Sequence, residues 1–561
     1  MTILTLQNYA LDLWVEGDGG YAEIASAVTG KPVARTSSAG LDFKAMLDHA
    51  RNVGGPALRK MTFHDRAYLL KDLAKAIMER KEELYALNAH TGATRKDGWI
   101  DIEGGAGTLF SMSSKGRREL PDDVIATDGP VEQISKNGTF MAQHVYTPMR
   151  GAAVHINAFN FPVWGMLEKL APTLLAGMPA IVKPATATAY LAEATFRIMI
   201  ETGRLPAGAI QLIVGSTGDL FEHLTGQDVV SFTGSASTAS KLKSHPSVIR
   251  ESVRFVAEQD SLNASLLGPD VTEESPEFDL FIKEVVREMT VKAGQKCTAI
   301  RRALVPASML DAAEKAIAAR LAKTTVGDPE RDDVRMGALV SASQRADVRE
   351  KIATLSAEAK IVCGDPDTVE LTGGDAAQGA FISPVLLRCD DPWGSKAVHE
   401  VEAFGPVSTL MPYNDLADAV ALANRGEGSL VMSAFTYDPQ IAREIVLETG
   451  AYHGRIIVIN RDCAAESTGH GSPLPVLVHG GPGRAGGGEE LGGVRGVKHY
   501  MQRTAIQGSP AVLAAATGAW LKDAPADAEP PHPFRYKFGE LEIGKTIETA
   551  ARTISLEDIE H

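Results

Sequence analysis

Cysteine is scarce in this chain: four residues among 561, at positions 297, 363, 389 and 463. No two of them form a C-x-x-C pair. That argues against a zinc ribbon and a disulfide framework, and makes reduced thiols in a cytoplasmic protein the expectation. Aromatic residues make up only 6%, so no stacking platform for bases is evident. Positive charge is in deficit, with 56 Lys and Arg against 71 Asp and Glu and a net charge of −15. Nucleic acid and anionic membrane surfaces are therefore not expected as partners, although a local basic pocket for a small anion is still allowed. Long apolar runs are missing as well. The most apolar stretch, Leu170 to Val182, contains two prolines and is too short to cross a bilayer. The N-terminus lacks a basic segment followed by an apolar one, so no signal peptide is expected. There is no P-loop, EF-hand, H-E-x-x-H, G-x-S-x-G or fixed-period repeat, and no metal site is expected.

What is present reads as a large globular α/β protein, 44% apolar and 23% charged. Length alone predicts three to four domains, or fewer large ones. The first 120 residues are mostly helical in pattern, most clearly from His64 to Gly92. Residues 133–150 read as a β-hairpin with Asn137-Gly138 as a type I′ turn. From 151 to 260 short apolar strands alternate with helices. This predicts a doubly wound, parallel dinucleotide-binding sheet. A second α/β block runs from 261 to 480. The resulting division is 1–128 with 149–260 for dinucleotide binding, 261–480 for catalysis, and 129–148 with 481–515 as a small β arm plus a glycine-rich loop. Residues 516–530 read as a Pro/Ala/Asp linker. Residues 531–561 are too few to bury a core of their own.

Several residues carry potential chemistry. Cys297 follows Gly294 in GQKCTA, where a tight turn can expose a thiolate to backbone N–H groups. Taken alone, a lone cysteine is more often a small buried hydrophobe. Glu258 ends the apolar strand VRFVAE, where ligands of doubly wound sheets sit. It reads as a general base or as a solvated strand-end carboxylate. Asn160, in NAFNFPVWG, reads as an oxyanion donor or as a helix N-cap. Lys183 and Thr186, in IVKPAT, pair an ammonium with a hydroxyl and no nearby acid. That combination suits a phosphate and leans towards NADP, against the alternative of a solvated lysine. GPGRAG at 481–486 matches G-x-G-x-x-G, but no periodic helix follows it. A glycine-rich loop with close backbone approach is the better reading.

Together these motifs resemble the aldehyde dehydrogenase superfamily. FNFP, KPAT, FTGS, the Glu258 region, GQKC and EAFGPV occur in that family's order, and the resemblance covers about residues 1–515. It implies an NAD(P)-dependent aldehyde oxidoreductase with Cys297 as nucleophile, Asn160 as oxyanion donor and Glu258 as the base that activates water. It further implies that Phe159, Lys183, Thr186, Ser235, Glu402 and Phe404 hold the cofactor, and that the protein is a homodimer or a dimer of dimers. The usual E-L-G-G-K around the base reads EQDSLN here, which leaves the shape of that loop open. The position of Thr186 often holds Glu in NAD-preferring members, so NADP is implied, with NAD possible. Retention of the glutamate favours hydrolysis to a free acid over transfer to coenzyme A.

Within the superfamily, NAFNFPVWGMLEKLAP and HGGPGRAGGGEELGG are similar to the dehydrogenase part of bifunctional enzymes of aerobic phenylacetate degradation. The implied substrate is a small CoA-linked aldehyde, 3-oxo-5,6-dehydrosuberyl-CoA semialdehyde. The alternatives are 3,4-dehydroadipyl-CoA semialdehyde, from benzoate degradation, and a non-catalytic scaffold of the same fold. Residues 531–561 resemble the start of a MaoC-like hydratase domain cut short, so no ring hydrolase activity is expected from this chain alone.

Overall fold

The computed structural model describes residues 3–519 together with Leu521 and Ala524. The hydratase-like segment 531–561 and most of the 516–530 linker lie outside the described residues. The chain divides into two units. One comprises residues 1–124 and 148–501, the other 125–147 and the chain from 502 onward.

The N-terminus departs from the helical reading. Five short strands precede the first helix: β1 (Leu4–Thr5), β2 (Asn8–Ala10), β3 (Leu13–Val15), β4 (Ala22–Ala25) and β5 (Pro32–Thr36). At two to five residues each, they are too short for a period to show in the sequence. The helices begin at Phe43 and include Phe63–Glu79, whose start is fixed by a reciprocal capping box between Thr62 and Asp65.

In the second unit, β6 (Ala126–Gln133) pairs antiparallel with β7 (Met141–Pro148), as the hairpin reading requires. The connection is wider than a two-residue turn. Ser135 carbonyl accepts from Gly138 N–H, so Asn137-Gly138 is not the central pair, and Gly138 takes the positive φ of 71° at the end of the turn.

The first unit contains two seven-stranded sheets. In chain order the first adds β8 (Ala153–Ile156), β9 (Ala180–Lys183), β10 (Ile210–Leu212), β11 (Val229–Thr233) and β12 (Arg254–Glu258). Its spatial order is β12-β11-β8-β9-β10-β2-β3. The five long-range strands are parallel, and β2 and β3 extend the edge antiparallel. Strands β8 and β10 are buried throughout, as expected of a sheet covered on both faces.

The second sheet is built from β13 (Ala264–Leu267), β14 (Arg302–Pro306), β15 (Lys360–Cys363), β16 (Val385–Arg388), β17 (Val407–Tyr413), β18 (Ser429–Phe435) and β19 (His453–Ile459). Its order is β15-β16-β17-β14-β13-β18-β19, with only β15 antiparallel. Leu304, Val385, Met411 and Met432 belong to its core, while Ile181, Val230 and Phe232 belong to the core of the first sheet.

The glycine-rich region forms a second hairpin, β20 (Val478–Gly480) with β21 (Glu489–Leu491). This region lies in the first unit. The last strand, β22 (Met501–Gly508), pairs with β7 in a three-stranded sheet. Among the described residues no helix is long and apolar enough to cross a membrane.

The topology positions the site. Four parallel strands end at one edge of the first sheet, which is where ligands collect in doubly wound folds. Beyond β8 comes the loop carrying Phe159 and Asn160; β9 ends at Lys183; β11 leads to Ser235; β12 ends at Glu258.

Candidate active site

A cleft of about 620 Å³ opens at that edge. Its walls include all nine residues singled out in the sequence: Cys297, Glu258, Asn160, Phe159, Lys183, Thr186, Ser235, Glu402 and Phe404. They come from positions 159 to 404, so only the tertiary fold brings them together.

Cys297 owes its position to a strained turn. Lys292, Ala293 and Gly294 take consecutive left-handed conformations, with φ of 54°, 51° and 65°. The first two carry side chains that disfavour this region, so the turn is held by its surroundings. Lys292 is buried and reaches Thr91 Oγ1 at 3.4 Å. A Cβ at Gly294 would stand 2.1 Å from Gly405 carbonyl oxygen, so no other residue fits. After the turn, Asn263 Nδ2 donates to the carbonyls of Cys297 (2.8 Å) and Ala299 (2.9 Å).

Glu258 is fixed by its strand and by the glycine-rich loop. Gly234 N–H donates to the Glu258 carbonyl, and Gln259 N–H to the Ala485 carbonyl. Gly486, with φ of 109°, lies so close to β12 that a Cβ would stand 2.3 Å from Ala257 carbonyl oxygen. The loop thus makes a close backbone approach, and residues 483–485 form only a single short 3₁₀ turn.

The capping alternative for Asn160 does not hold. The following helix is Trp164–Ala176, and its first N–H groups donate to Asp101 Oδ1, from Val163 at 3.0 Å and from Trp164 at 2.7 Å. Asn160 lies four residues ahead of the helix, buried at the wall of the cleft.

The cofactor side of the cleft is polar. Lys183 is half-buried; burial lowers its pKa, and no ion pair to its ammonium is found among the described residues. Ser235 caps the helix Ala236–Lys243. Phe159 and Phe404 meet edge to face at 5.7 Å. Burial pushes the Glu402 carboxyl up to about 7, although Arg301 stands 3.7 Å away.

Sequence reasoning missed the residues beneath Cys297. His479 Nε2 lies 2.9 Å from Glu258 Oε2 and 4.0 Å from Cys297 Sγ. Beside them buried Lys169 bridges buried Glu490 (3.0 Å) and Glu168 (3.3 Å) and the half-buried Thr233 Oγ1 (2.8 Å). Burial alone would raise Glu258, but the His479 and Lys169 charges outweigh it and bring its pKa down. Burial and the Glu258 charge push the Cys297 thiol well up. Asn157 and Lys351 also line the cleft without having been singled out. The one sequence signal for His479 was its place at the head of the glycine-rich run.

A thiol beside a buried carboxylate, at the mouth of a dinucleotide-type sheet, is an arrangement suited to covalent sulfur chemistry. The Aldehyde dehydrogenase family model matches residues 14–506, and the chain belongs to that family. It is an NAD(P)-dependent oxidoreductase acting on aldehydes. It is 44% identical over 480 residues to 3,4-dehydroadipyl-CoA semialdehyde dehydrogenase of Aromatoleum evansii, covering 85% of this chain and 93% of that one. It is also 51% identical over 227 residues to Protein MaoC of Klebsiella aerogenes, covering 40% of this chain and 65% of that one. Betaine aldehyde dehydrogenase from Staphylococcus aureus, solved in complex with NAD+, has the same fold. The TM-score is 0.79 at 23% identity, over 93% of this chain and 97% of that one.

Proposed function

We propose that the chain oxidises a small CoA-linked semialdehyde to the carboxylic acid, using NADP. Cys297 is the nucleophile: its sulfur adds to the aldehyde carbon, and the Asn160 amide and the Cys297 N–H hold the oxyanion that forms. The bound dinucleotide supplies the hydride acceptor that this oxidation needs. Glu258 then takes a proton from water as the water oxygen adds to the Cys297 thioester. The carbon–sulfur bond breaks, and the acid and the free thiol are released. The observation that carries this reading is the convergence of Cys297, Glu258 and Asn160 on one cleft with the six cofactor-side residues.

NADP over NAD rests on Lys183, whose ammonium is half-buried without a carboxylate partner among the described residues, and on the Thr186 hydroxyl beside it. Ser235, at a helix N-terminus, suits the pyrophosphate, and Phe404 with Glu402 the nicotinamide side.

For the substrate, two readings have support. The resemblance to bifunctional enzymes of aerobic phenylacetate degradation, with the tail at 531–561 and the similarity to Protein MaoC, favours 3-oxo-5,6-dehydrosuberyl-CoA semialdehyde. The 44% identity to the Aromatoleum evansii enzyme favours 3,4-dehydroadipyl-CoA semialdehyde. We further infer a cytoplasmic homodimer or dimer of dimers, in which β6, β7 and β22 supply the contact surface. Light scattering at the mass of a monomer would refute that assembly.

The experiment is NAD(P)H absorbance on the purified protein with each CoA semialdehyde and NADP or NAD in parallel. A Cys297→Ala variant serves as the control. Faster NADP reduction, lost in the variant, supports the reading. NAD preference overturns the Lys183 and Thr186 argument, and no turnover with either substrate favours a scaffold.

A further inference from the structure

One imidazole nitrogen faces both the thiol and the carboxylate. The ligand atoms of Glu258, Cys297 and His479 lie within 4.8 Å of one another. The His479 and Glu258 side chains are only 3% and 2% exposed. Forming a thiolate there puts a second negative charge next to a buried carboxylate, and such pairs resist ionising together. An imidazolium at His479 offsets the Glu258 charge and presents its own to sulfur. The geometry points to His479 as a catalytic partner of Cys297: held as a cation by Glu258, it stabilises the thiolate that attacks the substrate.

The inference rests on Cys297 being the nucleophile. In the activating step the Cys297 proton leaves to solvent, His479 keeps both ring protons, and Glu258 remains a carboxylate. The surroundings favour the cation. Glu258 faces His479 from β12, and Glu168 from the helix Trp164–Ala176. Glu490 stands opposite it on β21, bound to Lys169. Arg455 of β19 opposes it, and burial is outweighed, so His479 titrates above its ordinary range. The Trp164 ring, 5.5 Å away edge to face, keeps the imidazole in place.

The test is alkylation by iodoacetamide between pH 5.5 and 9.5, on the full chain without cofactor. Alkylation forms the carbon–sulfur bond and expels iodide only from the thiolate. Mass spectrometry of the peptides separates Cys297 from Cys363, Cys389 and Cys463. Burial and the Glu258 charge hold the wild-type Cys297 midpoint above the free-thiol value, and the His479 imidazolium limits that rise. His479→Phe raises it by about one unit and slows labelling at pH 7 about tenfold. His479→Gln keeps a hydrogen-bonding group without the charge and shows the same shift. Adding Glu258→Gln to His479→Phe restores most of the labelling, which a merely structural role would not do.

An unmoved Cys297 midpoint in both His479 variants overturns the inference. His479→Gln decides the matter if His479→Phe fails to fold. If Cys297→Ala retains turnover, the nucleophile reading itself falls. If Cys297→Ala is inactive but the profiles do not move, only the His479 role falls.

Discussion

His479 and Glu490 face each other directly across the ladder of the β20–β21 hairpin. Directly opposed residues of an antiparallel pair project to the same face, so this one hairpin delivers two titratable groups to the interior. His479 meets Glu258 and Cys297, while Glu490 meets Lys169 and Ser231. The glycines between the two strands let the loop lie against β12, which carries Glu258. The glycine-rich run is therefore a device for packing backbone on backbone, and a phosphate cradle is not needed to explain it.

Replacing Glu258 separates the two halves of the reaction. Glu258→Gln is expected to leave a first burst of NADPH close to one per active site and then slow the steady rate about 10²- to 10⁴-fold. Rapid-mixing absorbance measures both phases. A lost burst with an unchanged steady rate would reverse the assignment.

Lys183→Ala removes the ammonium proposed to meet the extra phosphate. The KM for NADP is expected to rise about tenfold to a hundredfold, for the loss of a charge-assisted bond of about 1.5–3 kcal/mol. The KM for NAD changes much less. Steady-state titration with both cofactors checks this, and equal losses would argue against a 2′-phosphate at Lys183.

Lys169→Met leaves Glu168 and Glu490 buried without their cation. Breaking such an ion pair costs about 3–5 kcal/mol, so thermal unfolding shifts down clearly. Lys169→Met with Glu490→Gln recovers part of that loss, because one uncompensated charge is gone. Calorimetry on the three proteins measures it.

Acid stability has a separate marker. Arg461 binds Glu277 through Nε at 3.0 Å and Nη2 at 2.6 Å, and holds its carboxyl down at about 2. Because the folded value lies below the unfolded one, this stabilisation is fully present above about pH 4.5 and fades as pH falls towards 2. Glu277→Gln is expected to cost about 1–3 kcal/mol at pH 7 and progressively less below pH 4.5. Thermal melts over a pH series check the sign.

The sequence by itself determined the parallel sheet, the strand ends and the family, because those depend on local patterns. The segments VRFVAE and AIVK read as apolar strands, and the residues at their ends, Glu258 and Lys183, follow from position alone. Cys297, Asn160 and Phe404 were legible through short motifs whose order is specific. The short N-terminal strands escaped, since two to five residues show no period and their pairing depends on partners far along the chain. The wide turn at Ser135–Gly138 escaped because a turn signal does not specify register. His479, Lys169 and Glu490 escaped for a deeper reason. Each is an ordinary residue in its own segment. It acquires its buried partners only when tertiary folding removes water and sets positions 169, 258, 297 and 479 side by side. Burial strengthens the charges there and decides which proton stays, and no local pattern in the chain encodes burial from a distance.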